Sequence, residues 1–233
     1  MIPIGDNILS WKKPIINYWL IGINIGIFFW ELKLGFTGEL GSFVNTWGIV
    51  PQQTNLAITN ALFYNSAAWI IVFWRLIAIP MSLFLHGSFS QIISNLLFLW
   101  VFGKTVESIL GHRQYLILYL AAGVFAGMVQ IFLAPNSELP IIGANAAIAS
   151  ILGAYLIRFP QAKIDSILPL LIIYIPMELP AFLYLFWWFT QQAFHGIGSL
   201  NIPGGVNEFS LSFWGQLAGL ATGAAFMRMM QRR

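Results

Sequence analysis

Apolar residues run along this chain in long stretches, separated by short polar and glycine-rich breaks. The first stretch covers Ile15 to Phe29 and extends to Leu34, with Glu31 and Lys33 at its end. A helix that crosses a bilayer needs about 20 mostly apolar residues. On that measure the pattern predicts five further spans: Phe89–Phe102, Tyr115–Leu133, Ile142–Ile157, a segment within 167–195, and Leu211–Met227. Pro169, Pro176 and Pro180 break the fifth of the six, so its membrane core is placed at Ala181–Phe194. Between the first and second spans lies a long connection, 35–89. It begins polar and turn-rich (Gly35, Gly38, Gly41, Asn45) and ends aromatic and apolar around Trp69, Phe73 and Trp74. Arg75 and Pro80 interrupt the apolar part, and aromatic enrichment predicts a segment lying in the membrane interface. The other reading of that part is a seventh span over 66–85.

Composition says what surrounds these helices. The 233 residues are 58% hydrophobic and 8% charged, against about 25% charged in an ordinary soluble domain. A soluble chain of this size could not hide so much apolar surface, so lipid is its solvent. No small-x-small cleavage site ends the first apolar run, which reads as an anchor and not as a removable signal. The fold class predicted is therefore an all-α membrane protein, a six-helix bundle over 15–227. A short segment, 1–14, precedes it and a basic tail, 228–233, follows. The absence of cysteine excludes thiol catalysis, disulfides and thiolate metal sites. Basic residues are scattered, which argues against a nucleic-acid partner. Glu178 and Asp165 stand alone and there is no phosphate-cradling glycine loop, so neither metal nor cofactor is predicted.

Charge placement orients the layout. With six spans Lys12, Lys13, Lys104, Arg113, Arg158, Lys163, Arg228, Arg232 and Arg233 share one side, and only Lys33 and Arg75 face the other. The positive-inside rule puts the first side, with both termini, in the cytoplasm of a bacterial-type inner or other internal membrane. A seventh span would carry every one of these charges from Lys104 onward to the opposite face.

Polar residues inside spans are costly and mark sites. His86-Gly87-Ser88 precedes the second span, and Gln91 and Asn95 follow four apart on one helix face. That pair can donate amide N–H groups to one point, as an oxyanion hole requires, or can bridge neighbouring helices. Gly143-Ala144-Asn145-Ala146-Ala147 opens the fourth span, and Gly215, Gly219 and Gly223 form a smooth ridge on the sixth.

Together with Trp47-Gly48-Ile49-Val50-Pro51, the run Asn95–Gly103, Glu107 and Gly111-His112, these elements resemble the rhomboid family of intramembrane serine proteases. The stretches Tyr119–Gly127 and Gly143–Pro160 resemble it too, and the similarity extends over roughly 47–225. The resemblance implies a Gly-x-Ser-Gly nucleophile motif, which reads Gly143-Ala144-Asn145-Ala146 here, so Asn145 stands where the serine would be. The family's base is a histidine with glycines three and seven residues on. Counted back from Gly215 and Gly219, that position is Ser212, or Phe213 with a slip of one. The family's second-span His, His and Asn read His86, Gln91 and Asn95, the oxyanion-hole positions.

An Asn carboxamide is no substitute for a hydroxyl nucleophile, and the sixth span contains no histidine. The resemblance therefore implies a proteolytically silent relative, a pseudoprotease, that binds transmembrane helices of client or partner proteins. One alternative is an active endopeptidase with a displaced dyad built from Ser212 or Ser150 with His86 or His195. Ser150 is five residues past Asn145, about 140° around the helix, and faces elsewhere. The other alternative is a fixed subunit of a larger membrane complex.

The topology is directly testable. Impermeant thiol reagents applied from outside should fail to label cysteines placed at Asp6 and Arg233, whereas strong labelling of either would overturn the six-span arrangement.

Overall fold

The computed structural model describes residues 1–9, 12–170, 173–198 and 208–232. It is an all-α membrane bundle with a small sheet at one end. Helix α1 covers Ile15–Thr37. The first connection carries α2 (Leu40–Trp47), α3 (Pro51–Phe63) and α4 (Trp69–Ser82). The remaining helices are α5 (Phe89–Leu110), α6 (His112–Leu133), α7 (Asn145–Arg158), α8 (Ala181–Gly198) and α9 (Glu208–Gln231). The predicted spans correspond to α1, α5, α6, α7, α8 and α9. Helices α1, α5 and α6 are each long and apolar enough to cross a membrane. The connection at 196–210, which the six-span reading places on the outer side, lies largely outside the described residues.

Helix α1 shows the inverted logic of a lipid-facing element. Its inward stripe is Asn17, Leu20, Asn24, Phe28, Glu31 and Leu34. Trp19, Phe29 and Trp30 point outward and are exposed. Lipid takes the apolar side, and the polar side chains turn inward to find partners. Asn17 shows how. Its Nδ2 donates to the Leu99 carbonyl at 2.9 Å, and its Oδ1 accepts from the Tyr115 hydroxyl at 2.7 Å. Leu99–Gly103 is a π-helical turn inside α5, which loosens the regular ladder there. Gly103 is required at this crossing, because a Cβ would lie 2.2 Å from Asn17 Oδ1.

Glu107, near the end of α5, fixes the start of α1. Its two oxygens accept the backbone N–H groups of Ile16 at 2.9 Å and Asn17 at 2.7 Å, and His112 Nδ1 also reaches it. A carboxylate here satisfies orphan donors and complements the positive end of the helix.

Interfacial placement fits α4. Trp69, Ile70, Phe73 and Trp74 are exposed while Val72, Ala78 and Ile79 are buried. The apolar helix from Ser66 to Ser82 falls in the class of 10–17 residues, short of the roughly 20 a crossing requires.

The fifth segment differs from expectation in its first half. Lys163–Leu170 forms β2 and Ile173–Pro180 forms β3, an antiparallel hairpin that β1 (Ile2–Asp6) extends in the order β1-β2-β3. Pro176 and Pro180 sit on the edge strand, where a sheet tolerates prolines. Pro169 lies beyond the reach of β1, whose pairing stops at Ile167. Asp6 anchors this sheet to the bundle. Its Oδ2 accepts the Thr105 hydroxyl at 2.7 Å and the Tyr155 hydroxyl at 2.9 Å, and Lys104 stands 3.9 Å from Oδ1. Asp6 is therefore unsuited to thiol labelling, and the exposed Lys13 is the informative position near the N-terminus.

Removing one partner of a buried charged hydrogen bond costs about 1.5–3 kcal/mol per bond, so Glu107→Ala should lower stability by at least ~2 kcal/mol. Steric-trap unfolding in detergent measures this, and an unchanged midpoint would show that the Glu107 contacts carry no weight.

Candidate functional site

Helix α7 has 14 residues, about 21 Å at ~1.5 Å per residue, while the hydrocarbon core is about 30 Å thick. It is short because the chain enters as irregular backbone. Ile141 pairs with Ile49, and the Gly143 N–H donates to the Ser82 carbonyl at 2.9 Å. Gly143 has φ +114°, and a Cβ there would stand 2.2 Å from Gln91 Nε2. Such backbone is tolerated at membrane depth only where protein or a cavity satisfies it. Asn145 is thus the first residue of α7, at the wall of a cavity.

That cavity has a volume of about 810 Å³ and is lined among others by Gln91, Asn95, Asn145, Trp188, Ser212 and Gln216. It joins α5, α7, α8 and α9. None of its described lining residues carries an ionisable side chain. Across this cavity Asn95, Gln91 and Asn145 do not hydrogen-bond one another.

Each of the oxyanion-hole positions has its own partner. Asn95 Nδ2 donates to His86 Nε2 at 3.3 Å, while His86 Nδ1 donates to the Phe84 carbonyl at 3.1 Å, which sets a neutral tautomer. The His86 backbone N–H is held by both oxygens of Glu31 at 3.1 Å. Gln91 is a strut: its Oε1 accepts from Gly87 N–H at 2.8 Å and its Nε2 donates to the Ile142 carbonyl at 3.3 Å. Asn145 makes no side-chain hydrogen bond among the described residues.

Helix α9 closes the opposite wall. A Cβ on Gly219 would sit 2.0 Å from the Ala146 carbonyl oxygen, and one on Gly223 1.8 Å from that of Ser150. Gly215 instead faces Gln130 of α6, which would lie 2.5 Å from a Cβ. The ridge that meets α7 is thus Gly219 and Gly223. Gln216, between Gly215 and Gly219, is 6% exposed; its Nε2 donates to Ser212 Oγ at 3.3 Å and its Oε1 has no partner. Ser150 is fully buried, with its hydroxyl donating to the Ala147 carbonyl at 2.6 Å. His195 lies in α8, and its side chain is outside the described residues.

Sequence reasoning did not single out Glu31, Gln216 or Gln130. The signal was present for all three, since each is a polar residue inside an apolar span. Among the described residues no three metal-ligating side chains converge.

Comparison with known proteins adds the lineage. A rhomboid-domain family model matches residues 72–233. The presenilin-associated rhomboid-like protein A, mitochondrial, of Danio rerio is 33% identical over 96 residues, 40% of this chain and 25% of that protein. The presenilin-associated rhomboid-like protein, mitochondrial, of Homo sapiens is 32% identical over 99 residues, 42% of this chain and 24% of that protein. The rhomboid protease GluP of Bacillus subtilis is 34% identical over 144 residues, 62% of this chain and 24% of that protein. The aligned part of the chain spans about a quarter of the length of these relatives.

Asn95→Ala should lower stability, Asn145→Ala should change it little, and the double mutant should match Asn95→Ala to within about 0.5 kcal/mol. A double mutant whose loss differs clearly from the sum of the singles in a thermal or steric-trap measurement would show that the two side chains are coupled across the cavity.

Proposed function

Because the chain belongs to the rhomboid family, we propose that this multi-pass membrane protein is a proteolytically silent member that binds transmembrane segments of client or partner proteins in its central cavity. The observation that carries the proposal is the chemistry at the head of α7. Asn145 presents a free carboxamide where the family's reaction requires a hydroxyl.

The base position supports the same reading. Glycines three and seven residues on allow two placements, Ser212 or Gln216. Packing favours Gln216, because Gly219 and Gly223 are the glycines that bring α9 against α7. Either placement lacks an imidazole. Against a dyad of Ser150 and His86 stand the Ser150 hydroxyl, bonded to its own helix, and the His86 ring, whose two nitrogens are both engaged.

Binding is favoured by what remains. Asn145 and Gln216 Oε1 offer donors and an acceptor that no described residue satisfies, in a cavity free of charge. An uncharged segment with exposed main-chain amides complements such a wall. Both termini are assigned to the cytoplasm on the charge distribution. The alternative of a fixed subunit predicts a constant stoichiometric partner on purification in mild detergent.

The test is a fluorescent single-span peptide added to the protein in nanodiscs. No cleavage and no fluorophosphonate labelling are expected. Loss of one hydrogen bond is worth ~1 kcal/mol, so Asn145→Leu or Gln216→Leu should weaken peptide binding about five-fold. Reproducible cleavage that disappears on Ser212→Ala would overturn the proposal.

A further inference from the structure

A second concavity lies at the end of the bundle where α5 finishes, α6 begins, and α7 and α9 both end. Its floor is apolar, formed by Leu110, Met227 and Met230, with Met227 fully buried. Its rim is polar: Gln114, Arg158 and Gln231. We propose that this cleft holds the phosphate headgroup of an anionic phospholipid from the surrounding bilayer, with the first carbons of its chains on the methionine floor.

Arg158 is the centre of the argument. It lies in the last turn of α7 and stacks on the Phe159 ring, 5.3 Å from the centroid. The ion pairs of the described residues, Lys104–Asp6, His112–Glu107 and Lys163–Glu178, do not include it. A guanidinium fixed on an aromatic face keeps its planar fork of donors directed and available, the geometry that suits a phosphate diester. The two rim amides add neutral donors beside it.

The surroundings favour an anion. Arg113, Arg228 and Arg232 stand near the same rim in sequence, and all are exposed without an ion pair among the described residues. The nearest carboxylate in sequence to the α5 end, Glu107, is 1% exposed and faces the start of α1. In a multi-pass membrane protein the end of a helix bundle lies at headgroup depth. A basic pocket between transmembrane helices at that depth is where anionic headgroups bind. An apolar floor of Leu110, Met227 and Met230 beneath a cationic rim suits an amphiphile better than a soluble anion.

Arg158 also complements the negative end of α7, so the experiment separates the two roles. The full chain in mild detergent is titrated with phosphatidylglycerol, phosphatidylcholine or inorganic phosphate and followed by native mass spectrometry and thermal unfolding. Phosphatidylglycerol should be retained at least about five-fold over phosphatidylcholine, the equivalent of one cation at the surface. It should also raise the unfolding temperature. Arg158→Gln should abolish both the preference and the lipid-dependent rise, and Arg158→Lys should restore part of each. Equal retention of the two lipids would overturn the proposal. So would a lipid-dependent rise that survives Arg158→Gln while the lipid-free temperature falls, which would mean that Arg158 serves the helix end alone. Inorganic phosphate that displaces the lipid and gives the same rise would assign the cleft to free phosphate and overturn the lipid claim.

Discussion

Where α7 and α9 cross, their backbones touch. Virtual Cβ atoms on Gly153, Gly219 and Gly223 would stand 2.1, 2.0 and 1.8 Å from the carbonyl oxygens of Leu220, Ala146 and Ser150. No side chain fits in that seam, so hydrogen at each glycine Cα is what lets the helices meet. Lipid provides no hydrophobic drive between helices, and association rests on such close van der Waals contact. The seam also decides which side chains face each other. With α9 held at Ala146 and Ser150, Gln216 is brought into the same cavity wall as Asn145 at the head of α7. Gly215, one step before Gln216, turns to α6 and lets Gln130 Nε2 reach the Leu211 carbonyl at 2.9 Å. One close crossing thus fixes α7, α9 and α6 together and leaves the cavity between them.

The polar interior follows from the same solvent. In a bilayer every backbone group must be satisfied within the protein, and the irregular entries to α5 and α7 leave several to be met. Glu31 holds the N–H of His86, Gln91 braces Gly87 against Ile142, and Ser82 receives Gly143. These contacts keep two non-helical segments at fixed depth. The donors that an oxyanion hole would require are partly taken up in this bracing: Asn95 by His86, and Gln91 by Ile142.

What the sequence made legible was whatever repeats locally. Apolar runs marked Tyr115–Leu133 where α6 covers His112–Leu133, and Leu211–Met227 where α9 covers Glu208–Gln231. The four-residue period of Gly215, Gly219 and Gly223 marked a packing ridge. Which neighbour each glycine meets is a tertiary fact, and it shifts the ridge facing α7 one turn onward. The hairpin Lys163–Pro180 was hidden because its apolar residues read as the start of a span. The strand that extends it, Ile2–Asp6, pairs with residues far along the chain, a contact no local period encodes. Polar residues were flagged as meeting, but their partners were not readable. Asn95 chose His86 over Asn145, since His86 in the loop before α5 is tied down by Glu31 from α1.

Carboxamides such as those of Asn145 and Gln216 differ in kind from a serine and histidine pair. A serine and histidine pair satisfies itself internally and works by moving a proton. A carboxamide carries a donor and an acceptor but moves no proton near neutral pH. At the wall of this cavity Gln216 gives one donor to Ser212 and its buried oxygen has no partner among the described residues, while the half-buried Asn145 makes no side-chain hydrogen bond among them. A buried polar group without a partner costs about 1–3 kcal/mol. A ligand N–H that reached Gln216 Oε1 would recover that cost, and a segment with only apolar surface would not. If the cavity takes a transmembrane segment, as proposed, main-chain character is what these side chains would select, since none of the described lining residues is ionisable.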